Sequence, residues 1–358
     1  MLIARAPVRV SFFGGGTDLP AYYLQHGGAV LSTTIDKYVY VIVSVNRDHG
    51  LQITSSDYNT FYRHPAGEPL LWDGDLSLPR AVLHHLGIEH GLTVFLASEV
   101  PPGTGLGSSG SVTVALVKVI AAACALRLSP RQIAAMACDI EIGKLGKPIG
   151  VQDQYAAAFG GLNWMTFSAD GVTVAPVAVA RPTLERLQTN LLLAFIGTAR
   201  DSATILSEQS RSSRAGEPEV IAALRGVQEL AQEGRTCLER GELDRFGMLL
   251  DLAWQHKRHF ARGITNERIE HAYELARRHG ALGGKIAGAG GGGFLMLYCD
   301  DGAAAQVQAA LAKEGLPCMD YSFESDGARV IFNAGLRVRD AKAVQAIAAA
   351  AEAGADGG

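Results

Sequence analysis

The stretch Pro101-Pro-Gly-Thr-Gly-Leu-Gly-Ser-Ser-Gly-Ser111 concentrates residues suited to holding phosphate. Closely spaced glycines leave backbone amides free to wrap an anion, and a helix beginning at the serines adds its N-terminal dipole. The hydroxyls of Ser108 and Ser109 are hard-oxygen donors that can ligate a metal bridging two phosphates. Two common nucleotide signatures do not fit. Gly105-Leu-Gly107-Ser-Ser-Gly110 matches G-x-G-x-x-G, but no Asp or Glu follows before Asp139. The acidic residue that holds a ribose about 20 positions on is therefore missing. The two prolines spoil the tight strand-to-helix turn of that fingerprint, and no Gly-Lys-Ser/Thr ends the loop as a P-loop requires.

Further clusters carry other chemistry. Gly14-Gly-Gly-Thr-Asp18 ends an early strand, and an aspartate beside three glycines is a small polar hook suited to a polyol. Gly283–Gly293 is a second glycine-rich loop, flanked by apolar residues and running into a strand. It is expected to pack where side chains do not fit. If the ligand carries a distal phosphate, Lys257 and Arg258 are candidates to hold it, with Arg200 and Arg262 behind them. Adjacent cations on a helix more commonly face water. His256 and His259 lack a third metal ligand nearby.

The elements that must position these residues fall into two groups. Val8–Phe13, Ala29–Val45, Leu51–Thr54, Thr60–Arg63 and Leu92–Ser98 have the β-branched and aromatic content of strands, and Leu78–Leu86 reads as a short helix. Ser111–Leu126 reads as a helix buried on most faces, and Ser129-Pro130 as the cap of a helix through Ile142. After the strand Leu191–Ile196, helical periodicity covers Asp201–Arg211, Pro218–Arg240, Leu243–Phe260 and Glu267–His279. Phe294–Cys299 and Ala328–Asn333 are strands around a helix at Ala303–Glu314, and an Ala-rich terminal helix follows Asp340. The pattern predicts an α+β protein of two domains, residues 1–185 and 186–358, with a ligand in the cleft between them.

Composition narrows the class. A net charge of −4 without runs of like charge argues against nucleic-acid binding through phosphate neutralisation. The five scattered cysteines fit a reduced, cytoplasmic chain, and no apolar run is long enough to span a bilayer.

Three of these segments, in this order, resemble the motifs of the GHMP kinase superfamily: Ala6-Pro-Val-Arg-Val10, the central loop, and Lys285-Ile-Ala-Gly-Ala-Gly-Gly-Gly-Gly293. The resemblance implies an N-terminal domain like ribosomal protein S5 and a ferredoxin-like C-terminal domain. It also implies ATP and Mg²⁺ as cofactors. ATP would lie on Pro102, Gly103, Thr104, Gly105, Leu106, Gly107, Ser108 and Ser109. "FFGGGTDLPAYY" and "GGAVLSTTIDKYVYV" look like the D-glycero-D-manno-heptose 7-phosphate kinases, which phosphorylate an anomeric hydroxyl. The segment Ile149–Gln154 matches the family's G-x-x-D, which makes Asp153 the expected base or hydroxyl-orienting residue; from the residues alone it is as readily a helix cap. Arg9 takes the family's basic position, and Ser109 and Glu141 those of the metal ligands. Asp139, on another helix face, is expected in solvent. Substrate contacts are expected from Gly15, Gly16, Thr17, Asp18, Gly150, Gly290 and Gly291, together with the three cations Arg200, Lys257 and Arg258. Alternatives are a 1-kinase for an unphosphorylated sugar of the fucose, arabinose or galactose type, or an inactive sugar or nucleotide sensor. The expected partner is a small sugar phosphate, without nucleic acid or membrane, and homodimerisation is left open.

Overall fold

The fold is taken from a computed structural model, which describes residues 1–197, 202–338, 344–345 and 347–349. Two sheets organise it. The first has the hydrogen-bonded order β12-β1-β2-β5-β3-β4, formed by β1 (Leu2–Phe13), β2 (Gly28–Val45), β3 (Leu51–Ser55), β4 (Thr60–His64), β5 (Leu92–Ser98) and β12 (Arg329–Asn333). β2 is long enough to serve two neighbours on the same edge. Its C-terminal half pairs with β5, and Gly28–Thr33 pairs with β6 (Leu162–Ser168), which continues into β7 (Gly171–Pro176). β11 (Phe323–Glu324) also joins β2. The chain after residue 322 thus leaves the C-terminal half and completes the N-terminal sheet.

Helices α1 (Pro20–His26), α2 (Ser77–His85), α3 (Ser108–Ala123), α4 (Pro130–Cys138) and α5 (Gln152–Phe159) accompany that sheet. α3 is central, with Val114–Val117 and Val119–Ala121 buried against the sheet and its companion helices, as its Ala/Val/Leu content requires. Ser129 caps α4 through a reciprocal capping box with Gln132. The expected helix through Ile142 stops being α-helical at Cys138 and continues as a π-helical turn, Asp139–Lys144. Such turns are frequent at functional sites.

The second sheet contains β8 (Leu191–Gly197), β9 (Ala281–Ile286) and β10 (Gly293–Cys299) in the order β8-β10-β9. The segment around Cys318 lies on the free side of β8, held by Phe195 N to Pro317 O (2.8 Å) and Met319 N to Leu193 O (2.9 Å). Counted in chain order, the four positions run 4-1-3-2, the ferredoxin-like arrangement. Its helices are α7 (Ser202–Arg214), α8 (Pro218–Arg240), α9 (Leu243–Lys257), α10 (Glu267–Arg278) and α11 (Ala304–Lys313), and α6 (Arg181–Asn190) leads into it.

The halves meet on an apolar seam. Val8, Val10 and Phe12 of β1 pack with Phe246, Leu250 and Met296, and Phe246 stands edge-on to Phe12 and Phe13 at 5.4 and 5.1 Å. Every residue from Ala6 to Phe13 is buried. An arginine inside such a run must find a partner, because an unpaired buried charge is too costly to keep.

Candidate active site

Arg9 finds that partner on α5. Its Nε donates to Asp153 Oδ1 at 2.8 Å, a second nitrogen lies 2.6 Å from the same oxygen, and Nη1 donates to Gly105 O at 2.6 Å. Asp153 occupies the first helical turn of α5, whose N-cap is Val151, so the capping alternative is removed and the carboxylate is free to face the cleft. Arg9 is 5% exposed and Asp153 26%. Burial pushes Asp153 above the ordinary aspartate range. Arg9 opposes the shift, and the charges of Asp18 and Glu141 add to it.

The central loop and α3 lie against this pair. Gly107, the N-cap of α3, has a φ of +80°, which disfavours any side chain, and a Cβ there would crowd the Asp153 carboxylate at 3.1 Å. The second glycine-rich loop interlocks with the first: a Cβ on Gly288 would fall 2.4 Å from Gly105 Cα, and Phe294 N donates to Thr104 O. The expected reason for the second run of glycines is therefore met by backbone of the first.

At the other side of α3, Glu141 is fully buried on the π-helical turn. It accepts from Ser109 Oγ (2.7 Å), Thr113 Oγ1 (2.8 Å), Gln154 Nε2 (2.9 Å) and Lys147 Nζ (2.9 Å). Burial alone would raise its pKa, but Lys147 and these donors outweigh burial and hold the carboxyl below the usual glutamate range. Lys147 Nζ also donates to Ser109 Oγ at 2.9 Å. The ammonium thus marks a cation position between a hydroxyl and a carboxylate. These hard-oxygen donors suit Mg²⁺, which commonly takes one or two protein ligands and completes its shell with phosphates and water. Asp139 is exposed, as expected.

Two cavities meet here. One of about 380 Å³ is lined by Arg9, Asp153, Asp18, Lys257 and Lys285 among others. The other, about 440 Å³, lies between Ser55–Thr60, Gly74–Pro79 and the start of α3. Both are lined by Tyr58, Gly103, Ser108 and Ser109, so a ligand can run from one into the other across the helix N-terminus.

The family models agree with this arrangement: GHMP kinases N terminal domain matches residues 77–161, and GHMP kinases C terminal matches residues 235–317. The chain belongs to the GHMP kinases. The D-glycero-alpha-D-manno-heptose 7-phosphate kinase of Campylobacter jejuni is 29% identical over 91% of this chain and 97% of its own. A solved structure described as a D-glycero-D-manno-heptose 1-phosphate kinase from Bacteroides thetaiotaomicron superposes with a TM-score of 0.77. It is 26% identical and covers 93% of this chain and 99% of that one. A bifunctional fucokinase/GDP-fucose pyrophosphorylase of Arabidopsis thaliana is 26% identical over 82% of this chain and 29% of its own length.

Within this GHMP kinase cleft the expected residues divide. Arg9, Asp153, Gly15, Gly16, Asp18, Gly103, Gly105, Gly107, Ser108, Ser109, Gly150, Lys257 and Gly290 line the first cavity, and Pro102 the second. Six do not line either, and Glu141, sealed on its π-helical turn, is one of them. Thr17 is buried, donating to Gly14 O at 2.7 Å and tying the turn to β2. Thr104 donates to Pro101 O at 2.8 Å and serves the second loop through its carbonyl. Leu106 is core, its carbonyl accepting from Arg9 N. Gly291 faces Gly263 and Ile205. Arg258 is corrected most sharply: it pairs with Glu270 and lies over Trp254, away from the cleft, because one step along the end of α9 turns it from the face that carries Lys257. Arg200 lies outside the described residues.

Asp18 is engaged within the chain. It accepts from Gly16 N (2.9 Å) and Gln152 N (3.2 Å), and a side chain on Gly150 would overlap it. It therefore braces the glycine turn against α5. Lys257 is likewise committed, donating to Ile286 O and Gly288 O at 2.8 and 2.5 Å and so holding the second loop. Burial, with Lys285 and Arg9 nearby, pushes its pKa well below the lysine range. Two basic residues were not singled out from sequence: Lys147, and Lys285 on β9, which burial and Arg9 bring down to about 7. The signal for Lys285 was present, since a lysine in an apolar strand directly ahead of a glycine run is out of place unless it serves a site.

Proposed function

We propose that this GHMP kinase transfers the γ-phosphoryl group of ATP to the anomeric hydroxyl of D-glycero-D-manno-heptose 7-phosphate, giving the 1,7-bisphosphate. The observation that carries this reading is the Arg9–Asp153 pair at the junction of the two cavities, facing the α3 N-terminus. In-line phosphoryl transfer needs a group that accepts or orients the hydroxyl proton, and positive charge on the transferring group. Asp153, with its raised pKa, takes the first role, and Arg9 and the α3 amides the second. The nucleoside lies in the cavity beside Ser55–Thr60. Its phosphates cross the N-terminus of α3. Ser109 and Glu141 would hold Mg²⁺, which when bound neutralises charge on those phosphates. Lys285, the cleft lysine without a hydrogen-bond partner among the described residues, faces the anionic end of the acceptor. Domains of residues 1–185 and 186–358, the latter returning two strands to the first sheet, close around these ligands.

The two heptose-phosphate kinase names place the existing phosphate at opposite ends of the sugar, and the fucokinase name describes a free sugar. ADP release measured with the 7-phosphate, the 1-phosphate, the free heptose and L-fucose separates these acceptors. The expected result is a kcat/KM for the 7-phosphate about 10- to 100-fold above that of free sugars, the loss of a charge-assisted phosphate contact being worth about 1.5–3 kcal/mol. Comparable values for free and phosphorylated sugars overturn the choice.

A further inference from the structure

We infer that Ser11, Gln152 and Gln209 form a hydroxyl-reading subsite for a polyhydroxylated acceptor, with Gln209 contributed by the C-terminal half. Ser11 Oγ, Gln152 Oε1 and Gln209 Nε2 are buried and have no hydrogen-bond partner among the described residues. The residues are 8%, 7% and 3% exposed, and all three line the cavity that holds Asp153. The other orphaned buried atoms, such as those of Arg80, His84, Trp254 and Tyr298, belong to residues that do not line this cavity. Native folds leave few such groups, and a cluster at one cleft wants a ligand to complete it.

The three converge on one turn. A Cβ on Gly15 would sit 3.4 Å from Ser11 Oγ and 3.6 Å from Gln152 Nε2, and one on Gly16 would sit 2.7 Å from Gln209 Nε2. Both glycines thus present bare backbone to these side chains. The chemistry of the set distinguishes its ligand. A phosphate accepts only, whereas this group offers a hydroxyl that donates and accepts, a carboxamide oxygen that accepts and an amide that donates. Sugar hydroxyls, each donor and acceptor, match it. Leu206 and Phe260 line the same cavity and supply an apolar wall for the C–H face of the sugar. Asp18, whose two oxygens are already bound by Gly16 N and Gln152 N, fixes the turn on which the subsite stands.

The inference deepens the proposed function and rests on it for the identity of the acceptor. It is tested with Ser11→Ala and Gln209→Leu in the full chain, by steady-state kinetics and thermal unfolding. Each substitution should raise the acceptor KM about tenfold or more while leaving the KM for ATP within about twofold. Because each removes an orphan, unfolding temperature should hold or rise; a structural role would lower it. Unchanged acceptor KM overturns the subsite, as does a fall in unfolding temperature with both KM values rising together. D-Mannose at high concentration serves as an activity-independent probe. It should raise the unfolding temperature of the wild-type chain and not that of Gln209→Leu. That result with no turnover of any heptose phosphate keeps the subsite and removes the proposed acceptor. Turnover with unaltered variants does the reverse.

Discussion

Glu141 and Asp153 are carboxylates on neighbouring turns around the same helix, and the fold treats them in opposite ways. Glu141 is sealed, with four donors on its two oxygens, and is held below the ordinary glutamate range. Asp153 has Arg9 as its ion-pair partner, opens to the cleft, and is held above the ordinary aspartate range. A saturated carboxylate is a fixed negative charge for orienting a cation. An incompletely satisfied one keeps affinity for a proton and is suited to receiving it. The cations repeat the contrast: Arg258 is spent on Glu270, whereas Lys285 stands in the cleft near its titration point.

The largest expected effect tests the open carboxylate. Asp153→Asn should lower kcat by about 10³-fold, the usual contribution of a positioned base, with the affinity for an ATP analogue by calorimetry nearly unchanged. Full turnover would erase the distinction between the two acids.

The sealed carboxylate should instead matter to stability. Glu141→Ala is expected to cost about 2–3 kcal/mol in denaturant unfolding, less than a fully buried pair because Lys147 reaches solvent. The pH dependence has opposite signs at the two sites. The lowered pKa of Glu141 contributes stability above its ordinary value, and that stability is lost as pH falls through the folded value. The raised pKa of Asp153 subtracts stability once ionised, and acid relieves it. Glu141→Gln should therefore flatten the acid fall in stability below about pH 4.5, and Asp153→Asn should steepen it above about pH 4. Parallel slopes would break the comparison.

A smaller effect is expected at Lys285. Lys285→Met should raise the KM for a phosphorylated acceptor about tenfold at pH 6.5, and the wild-type value should climb toward that of the variant as pH passes about 7. A pH-independent ratio would show that the ammonium does not meet the substrate. Arg258→Ala marks the lower end, with acceptor KM within about twofold of wild type; a large rise would return Arg258 to the cleft.

Much of the fold was legible because its signals are local. Pro218–Arg240 is a helix with the expected bounds, starting at a proline and ending before a glycine in the left-handed conformation. The hairpin β3–β4 and the Ser129 cap of α4 were equally local. β6, β7, α6 and β9 were not anticipated, since β9 consists largely of Ala, Gly and Leu and is a strand only because β10 pairs with it. At the site, the glycine loops were readable from spacing, and the Arg9–Asp153 pair from resemblance alone. The direction of single side chains was not. Neighbouring Lys257 and Arg258 diverge by one helical step, and Thr17, Thr104 and Leu106 sit inside motifs but serve the scaffold. No local pattern carries that information.

The return of β12 to the edge of β1 has a consequence during synthesis. Leu2 pairs with Asn333, so β1 waits for a strand more than 300 residues later in the chain. At about 5–20 residues per second, that wait is on the order of tens of seconds. Until it ends, the nascent chain carries an unpaired apolar β1 edge, the kind of surface that recruits strands from other chains. Efficient production of this kinase should therefore depend on whatever shields the Leu2–Arg5 edge in the interval, and release of a chain truncated before residue 329 should yield aggregates rather than a smaller folded domain.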